Sequence, residues 1–88
     1  MLKQEFKQYT IADPEMKHFI SAMDYLKIPV HQHAMTLAAL MKVLKRFELI
    51  DVWDKMTYRE LMKVPSVGKA WIIIVVVAQQ IKRGEISV

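Results

Sequence analysis

Apolar residues recur at helical spacing along the first half of the chain, and this pattern predicts two helices. Asp13-Pro14 is a typical start signal, an N-cap residue followed by proline, so the first helix is predicted over 14–27. It should end before Pro29, because a residue that precedes proline disfavours the α conformation. The second helix is predicted over 31–47, and its apolar stripe comprises Val30, Ala34, Leu37, Met41 and Leu44.

Shorter elements are predicted beyond the second helix. Residues 48–56 combine apolar and acidic positions, and we expect a turn and a short helix there. Thr57 and Glu60 form a capping box, in which each side chain accepts a hydrogen bond from the other residue's backbone amide. This box predicts a further short helix over 58–63.

The last predicted helix, over 68–83, is apolar on nearly every face and ends before Gly84. Its six consecutive β-branched residues, 72–77, favour a strand by local propensity. We nevertheless predict a helix, because the rest of the chain offers no partner strand. A helix of this composition must be buried all round, either at the centre of a monomer, which we favour, or against a second copy.

The length and composition fit a single all-α domain. A chain of 88 residues with 53% hydrophobic and 25% charged residues is typical of one globular unit. We predict a compact bundle of about five helices around the C-terminal helix, with residues 1–12 as an N-terminal arm or short helix.

Several classes of protein are disfavoured by what the sequence lacks. It has no cysteine, and therefore no disulfide, thiol nucleophile or Cys-based zinc site. No signal peptide is recognisable, and the longest apolar run, 70–78, has nine residues where a membrane span needs about 20. We expect a soluble, cytoplasmic protein without a membrane partner.

No catalytic or metal-binding arrangement is recognisable. His31 and His33 are two positions apart, which directs them to different faces of a helix, and His18 belongs to another helix. Asp51 and Asp54 form an acidic pair that is typical of a solvated or capping turn. We predict no catalytic residue, no metal site and no cofactor, and hence a protein that is not an enzyme.

The excess positive charge is confined to one part of the chain. Residues 1–30 contain four basic and four acidic residues, so the formal net charge of +4 arises entirely in residues 31–88. A local basic excess favours a polyanionic partner such as nucleic acid.

Residues 57–84 resemble the helix-hairpin-helix family, in which a short helix, a tight hairpin and a second helix form one unit. The hairpin inserts one apolar residue into the core, and its glycine allows a tight turn and close backbone approach. The matching positions are Leu61 and Val64 in the first helix, Ser66, Val67 and Gly68 in the hairpin, and Ala70 and Ile74 in the second helix.

Within that family, residues 44–84 are most similar to the C-terminal domain of the bacterial RNA polymerase alpha subunit. The shared positions are Leu44, Lys45, Leu49, Val52, Thr57, Glu60, Leu61, Lys63, Pro65, Gly68 and Lys69. The chain departs from the pattern at Ser66, where the family has glycine, and at Ala70-Trp71, where the alpha domain has lysine and serine. Leu37 and Leu40 stand near the positions of that domain's DNA-contacting arginine and asparagine.

The resemblance implies a SAM-like bundle similar to the alpha C-terminal domain, with the helix-hairpin-helix region in 48–84. The two helices in 13–47 are predicted from the apolar pattern and not from the resemblance. The resemblance also implies a DNA-backbone site at the start of the second helix of the hairpin, where free amides and the helix dipole favour phosphate. The expected contacts are Ser66, Gly68 and Lys69, flanked by Lys63, Lys45 and Arg46.

The sequence therefore predicts a small basic protein that binds DNA, or structured RNA, with little sequence specificity. The resemblance implies a role in transcription or replication, and the small size is typical of phage or mobile-element accessory proteins. Two alternatives stay open. One is a protein-interaction module of the same fold that docks on a polymerase or another nucleic-acid-processing complex, and the other is a homodimeric structural protein.

Overall fold

The computed structural model describes residues 14–65 and 68–87, and every regular element within them is helical. Four α-helices lie in these residues: α1 (Pro14–Tyr25), α2 (His33–Arg46), α3 (Tyr58–Met62) and α4 (Lys69–Lys82). Short 3-10 turns occupy Val30–Gln32 and Trp53–Lys55. The predicted all-α fold is confirmed, while the short helix expected within 48–56 is a 3-10 turn. The predicted N-terminal arm or helix, 1–12, lies outside the described residues.

α4 is the central helix, and it packs most extensively against α1. Val75 and Ala78 on α4 are fully buried, and so is Phe19 on α1. The Phe19 ring also packs against Trp53, with ring centroids 4.5 Å apart. Because helix stability in a folded protein comes mainly from packing of an apolar face, this burial outweighs the strand propensity of residues 72–77. The prediction of a helix there is confirmed.

Burial is less complete than the apolar pattern predicts. Val30 is 78% exposed and Ala34 is also exposed, so the predicted stripe on α2 is buried only from Leu37 onward. On α4, Ile73 is 48% exposed and Ala70 is exposed, so the expectation of burial all round was wrong. The reason is that α1 packs against one side of α2 and one side of α4, and these positions lie on sides that are left exposed in the described structure.

Three helices end in Schellman motifs, in which a residue in the left-handed conformation turns the chain away. After α1 that residue is Lys27 (φ 61°), and after α2 it is Glu48 (φ 55°). After α4 it is Gly84 (φ 78°), the predicted stop. Each motif has its long hydrogen bond, of 3.0, 2.7 and 2.8 Å respectively, from the next backbone amide to a carbonyl five residues earlier.

Gln79 on α4 joins the central helix to the turn that precedes α3. It is 5% exposed, and its side-chain amide donates to the carbonyls of Trp53 (2.6 Å) and Met56 (2.8 Å). These two bonds satisfy backbone acceptors that would otherwise lie against the core. Gln79 thus holds the start of α3 at a set position relative to α4.

Candidate nucleic-acid interface

α3 begins at the capping box that the sequence predicts. The Thr57 amide donates to the Glu60 carboxylate (2.8 Å), and the Glu60 amide donates to the Thr57 hydroxyl oxygen (3.1 Å). The backbone hydrogen bond from Thr57 lowers the pKa of the Glu60 carboxyl below its ordinary value of 4.5. The cap fixes where α3 starts, and a helix of about one and a half turns then brings Lys63 to its C-terminal end.

The connection from α3 to α4 begins with one anchor and one exposed cation. Val64 is buried, as expected of an apolar anchor, whereas Lys63 and Pro65 are exposed. Two hairpin residues, Ser66 and Val67, lie outside the described residues, and the predicted contact at Ser66 lies there with them.

α4 presents an exposed N-terminus. Gly68 is its N-cap, with φ −96° and ψ 176°, and contributes no side-chain cap. Lys69, the first residue of the helix, is exposed, and the first turn contains no acidic residue. Since the first amides of an α-helix have no partner within the helix, this end combines unbonded donors with a cation.

The conformation of Gly68 differs from the sequence-based interpretation. Its φ is negative, so the backbone does not use the freedom that glycine has at positive φ. A Cβ at this position would meet nothing within 4 Å. The open space over the helix end, rather than a special turn geometry, is what glycine provides here.

The two ends of α4 differ in how their cations are engaged. At the C-terminal end, Lys82 forms an ion pair with Asp54 (3.0 Å) and its ammonium lies 5.4 Å from the Trp53 ring centroid. The hydrogen bond from Lys82 lowers the pKa of Asp54 below its ordinary value of 3.8. At the N-terminal end, Lys63 and Lys69 form no ion pair with any described residue. Arg83, the C-cap, donates to the Asp54 carbonyl (2.9 Å), so of the two lysines within α4 it is Lys69 that has no ion-pair partner among the described residues.

Acidic residues are also absent from the sequence around this end. Residues 25–47 and 61–84 contain no Asp or Glu. Two of the predicted flanking residues, Lys45 and Arg46, lie exposed in the last turn of α2, where Arg46 stacks 5.6 Å from the Phe47 ring centroid. The exposed Lys42 lies one turn earlier and was missed by the sequence-based prediction.

The sequence resemblance places two leucines near the DNA-contacting arginine and asparagine of the alpha domain. Both are core residues of α2, Leu37 with 4% exposure and Leu40 with 1%. Neither side chain is therefore available for contact with a ligand.

The histidines do not assemble a metal site in the residues that the structure describes. His33 Nε2 lies 2.8 Å from the Ile28 carbonyl and 3.9 Å from Asp24 Oδ1. His31 is exposed, and His18 lies on a different helix. His33 thus links the start of α2 to the end of α1.

No protein-family model matches this chain, and no significantly similar curated protein or solved structure was found. Among the described helices, none combines the length and apolar character needed to cross a bilayer.

Proposed function

We propose that this chain is a small, non-enzymatic nucleic-acid-binding protein that contacts the DNA backbone at the connection between α3 and α4. The observation that carries the proposal is the exposed N-terminus of α4, where Gly68 leaves open space and Lys63 and Lys69 form no ion pair with a described residue. A helix N-terminus flanked by lysines is a favourable phosphate site.

Contacts of this kind position a duplex without reading its bases. Backbone amides of α4 and the ammonium groups of Lys63 and Lys69 would meet phosphate oxygens, with Lys45 and Arg46 as flanking cations. Ser66 belongs to the proposed site through its place in the hairpin. Binding of this type releases condensed counterions, so it weakens steeply as salt increases.

The resemblance of residues 44–84 to the polymerase alpha domain supports a role in transcription or replication, and with it a cytoplasmic location. A monomer is the proposed state, because α4 already occupies the centre of the bundle. Structured RNA would present the same phosphate chemistry, and competition between duplex DNA and structured RNA distinguishes the two.

A salt titration with charge-matched variants tests the proposal. Fluorescence anisotropy of a labelled DNA duplex should give a dissociation constant of about 10⁻⁴ to 10⁻⁶ M, weakening strongly between about 50 and 200 mM salt. The double variant K63Q/K69Q should bind at least about tenfold more weakly and lower the salt slope by about 2. The control K17Q/K27Q removes the same charge from exposed positions on and after α1, and should weaken binding less than about threefold.

Two results would contradict the proposal. Absence of duplex binding at the lowest salt would favour a protein-interaction module of the same fold. Equal losses in the two double variants would mean that general charge, rather than the end of α4, attracts the duplex. A doubled mass in sedimentation would instead favour the homodimeric structural protein.

A further inference from the structure

A groove lies between α2 and the N-terminal half of α4. Its volume is about 280 Å³, and its walls include Met35, Ala39 and Leu40 on α2 and Ala70, Trp71 and Ile74 on α4. Apart from Thr36, the side chains that line it are apolar. Because Met35 is 74% exposed and the alanines on both walls are exposed, the groove opens to solvent.

An open apolar groove between two helices is a typical docking site for a helix from another protein. Its volume is small for a drug-sized ligand and suits a few apolar side chains that project from one helical face. The indole N–H of Trp71 is buried and has no hydrogen-bond partner. Trp71 is therefore held in the wall by apolar packing rather than by a hydrogen bond.

No charged residue lines the groove, but cations lie beyond its two walls. Arg46 follows Ala39 by seven residues, which places it on the same side of α2, about 10 Å further along the helix. Lys69 directly precedes Ala70 on the opposite wall. The two wall helices contain no acidic residue.

The basic character of the two wall helices favours an acidic partner over a second copy of this chain. A second copy carries a formal net charge of +4 and would bring the same basic helices to the groove, so like charges would oppose its docking. A segment with acidic residues beside its apolar face would instead meet the opposite charges of Arg46 and Lys69 on either side of the groove. We propose that the groove binds an acidic amphipathic helix of a partner protein, with apolar side chains at i, i+3 or i+4, and i+7.

A synthetic peptide of about 16 residues serves as the probe, with leucines at i, i+3, i+4 and i+7 and glutamates on its remaining face. Titration against the full chain is followed by tryptophan emission, since Trp71 lines the groove. We expect saturable binding with an emission change. A scrambled peptide of the same composition, and one with lysines in place of the glutamates, should each bind at least about tenfold more weakly.

Two variants locate the binding surface. A39E places a negative charge in the groove and should weaken peptide binding at least about tenfold. A34E makes the same charge change at an exposed position of α2 that does not line the groove, and should change binding less than about twofold. Thermal unfolding of both variants checks that the fold is retained.

Several outcomes would overturn the proposal. These are no binding of the acidic peptide at low salt, equal binding of the scrambled or the lysine peptide, and equal losses for A39E and A34E. A chain that sediments as a dimer and becomes monomeric through A39E would assign the groove to a second copy. Retained peptide binding in K63Q, together with weakened DNA binding, would separate this surface from the proposed phosphate site, because Lys63 does not line the groove.

Discussion

Replacing Gln79 with methionine tests whether a single buried amide holds the start of α3 in place. Q79M keeps the length of the side chain and removes both of its hydrogen bonds, to the carbonyls of Trp53 and Met56. The Trp53 carbonyl retains a long bond of 3.4 Å from the Met56 amide, while the Met56 carbonyl is only partly buried and can reach water.

The expected loss follows from these surroundings. Each hydrogen bond contributes about 0.5–1.5 kcal/mol net, and an acceptor left buried without a partner costs about 1–3 kcal/mol. Because neither carbonyl is fully orphaned, we expect Q79M to lower the free energy of unfolding by about 2–3 kcal/mol. For a domain of this size, that corresponds to a melting temperature lower by about 10–20 °C.

Urea unfolding followed by far-UV circular dichroism measures the change, and the m-value should stay constant. Q80M is the matched control, since Gln80 is the half-buried neighbour whose side chain makes no hydrogen bond with a described residue. It should cost less than about 0.5 kcal/mol. A loss below about 0.5 kcal/mol in Q79M, or equal losses in both variants, would show that the two bonds do not stabilise the fold.

Three further predictions concern the helix ends. E48G should raise the free energy of unfolding by about 0.5–1 kcal/mol, because Glu48 has a left-handed φ of 55° that glycine adopts without strain. Urea unfolding measures the change, and unchanged stability would contradict the prediction. G68A should change the melting temperature by no more than a few degrees, because the added Cβ would meet nothing within 4 Å. It should weaken duplex binding, because the proposed site brings phosphate close to the Gly68 backbone. Unchanged binding would remove Gly68 from the proposed site. The lowered pKa of Asp54 means that its pair with Lys82 stabilises the fold above pH 3.8 and that this contribution is lost as the pH falls through the lowered pKa. Stability measured from neutral to acidic pH should therefore fall less in D54N than in the unmodified protein.

The features that the sequence predicts correctly are those set by near neighbours. The capping box needs two side chains three residues apart, and Gly84 ends α4 through a local left-handed turn. Lys27 and Glu48 form the same kind of turn without glycine, so Pro29 alone indicated the end of α1 and no residue type indicated the end of α2.

The features that could not be predicted depend on contacts between distant parts of the chain. In the sequence, Gln79 is simply a polar residue on an apolar helix. Its role as a hydrogen-bond donor depends on the fold, which places the carbonyls of Trp53 and Met56 beside it. The apolar stripe predicted for α2 likewise does not show in advance that it is buried from Leu37 onward and that Val30 is exposed. At the candidate site, the exposure of Lys63 and Lys69 agrees with expectation, but the groove beside them is formed by two helices that are far apart in sequence and has no local signal.

Thermal unfolding exposes an apolar segment of α4 that is mostly buried in the folded protein. Residues 71–77, one tryptophan followed by six β-branched residues, contain no charge, proline or glycine. Such a segment has the composition of strands that stack between chains once they leave a folded core. We therefore expect thermal unfolding to become irreversible at high protein concentration, with aggregates rich in β-structure from a protein whose described elements are all helical. The central helix of the native bundle therefore contains the segment that we expect to promote aggregation of the unfolded chain.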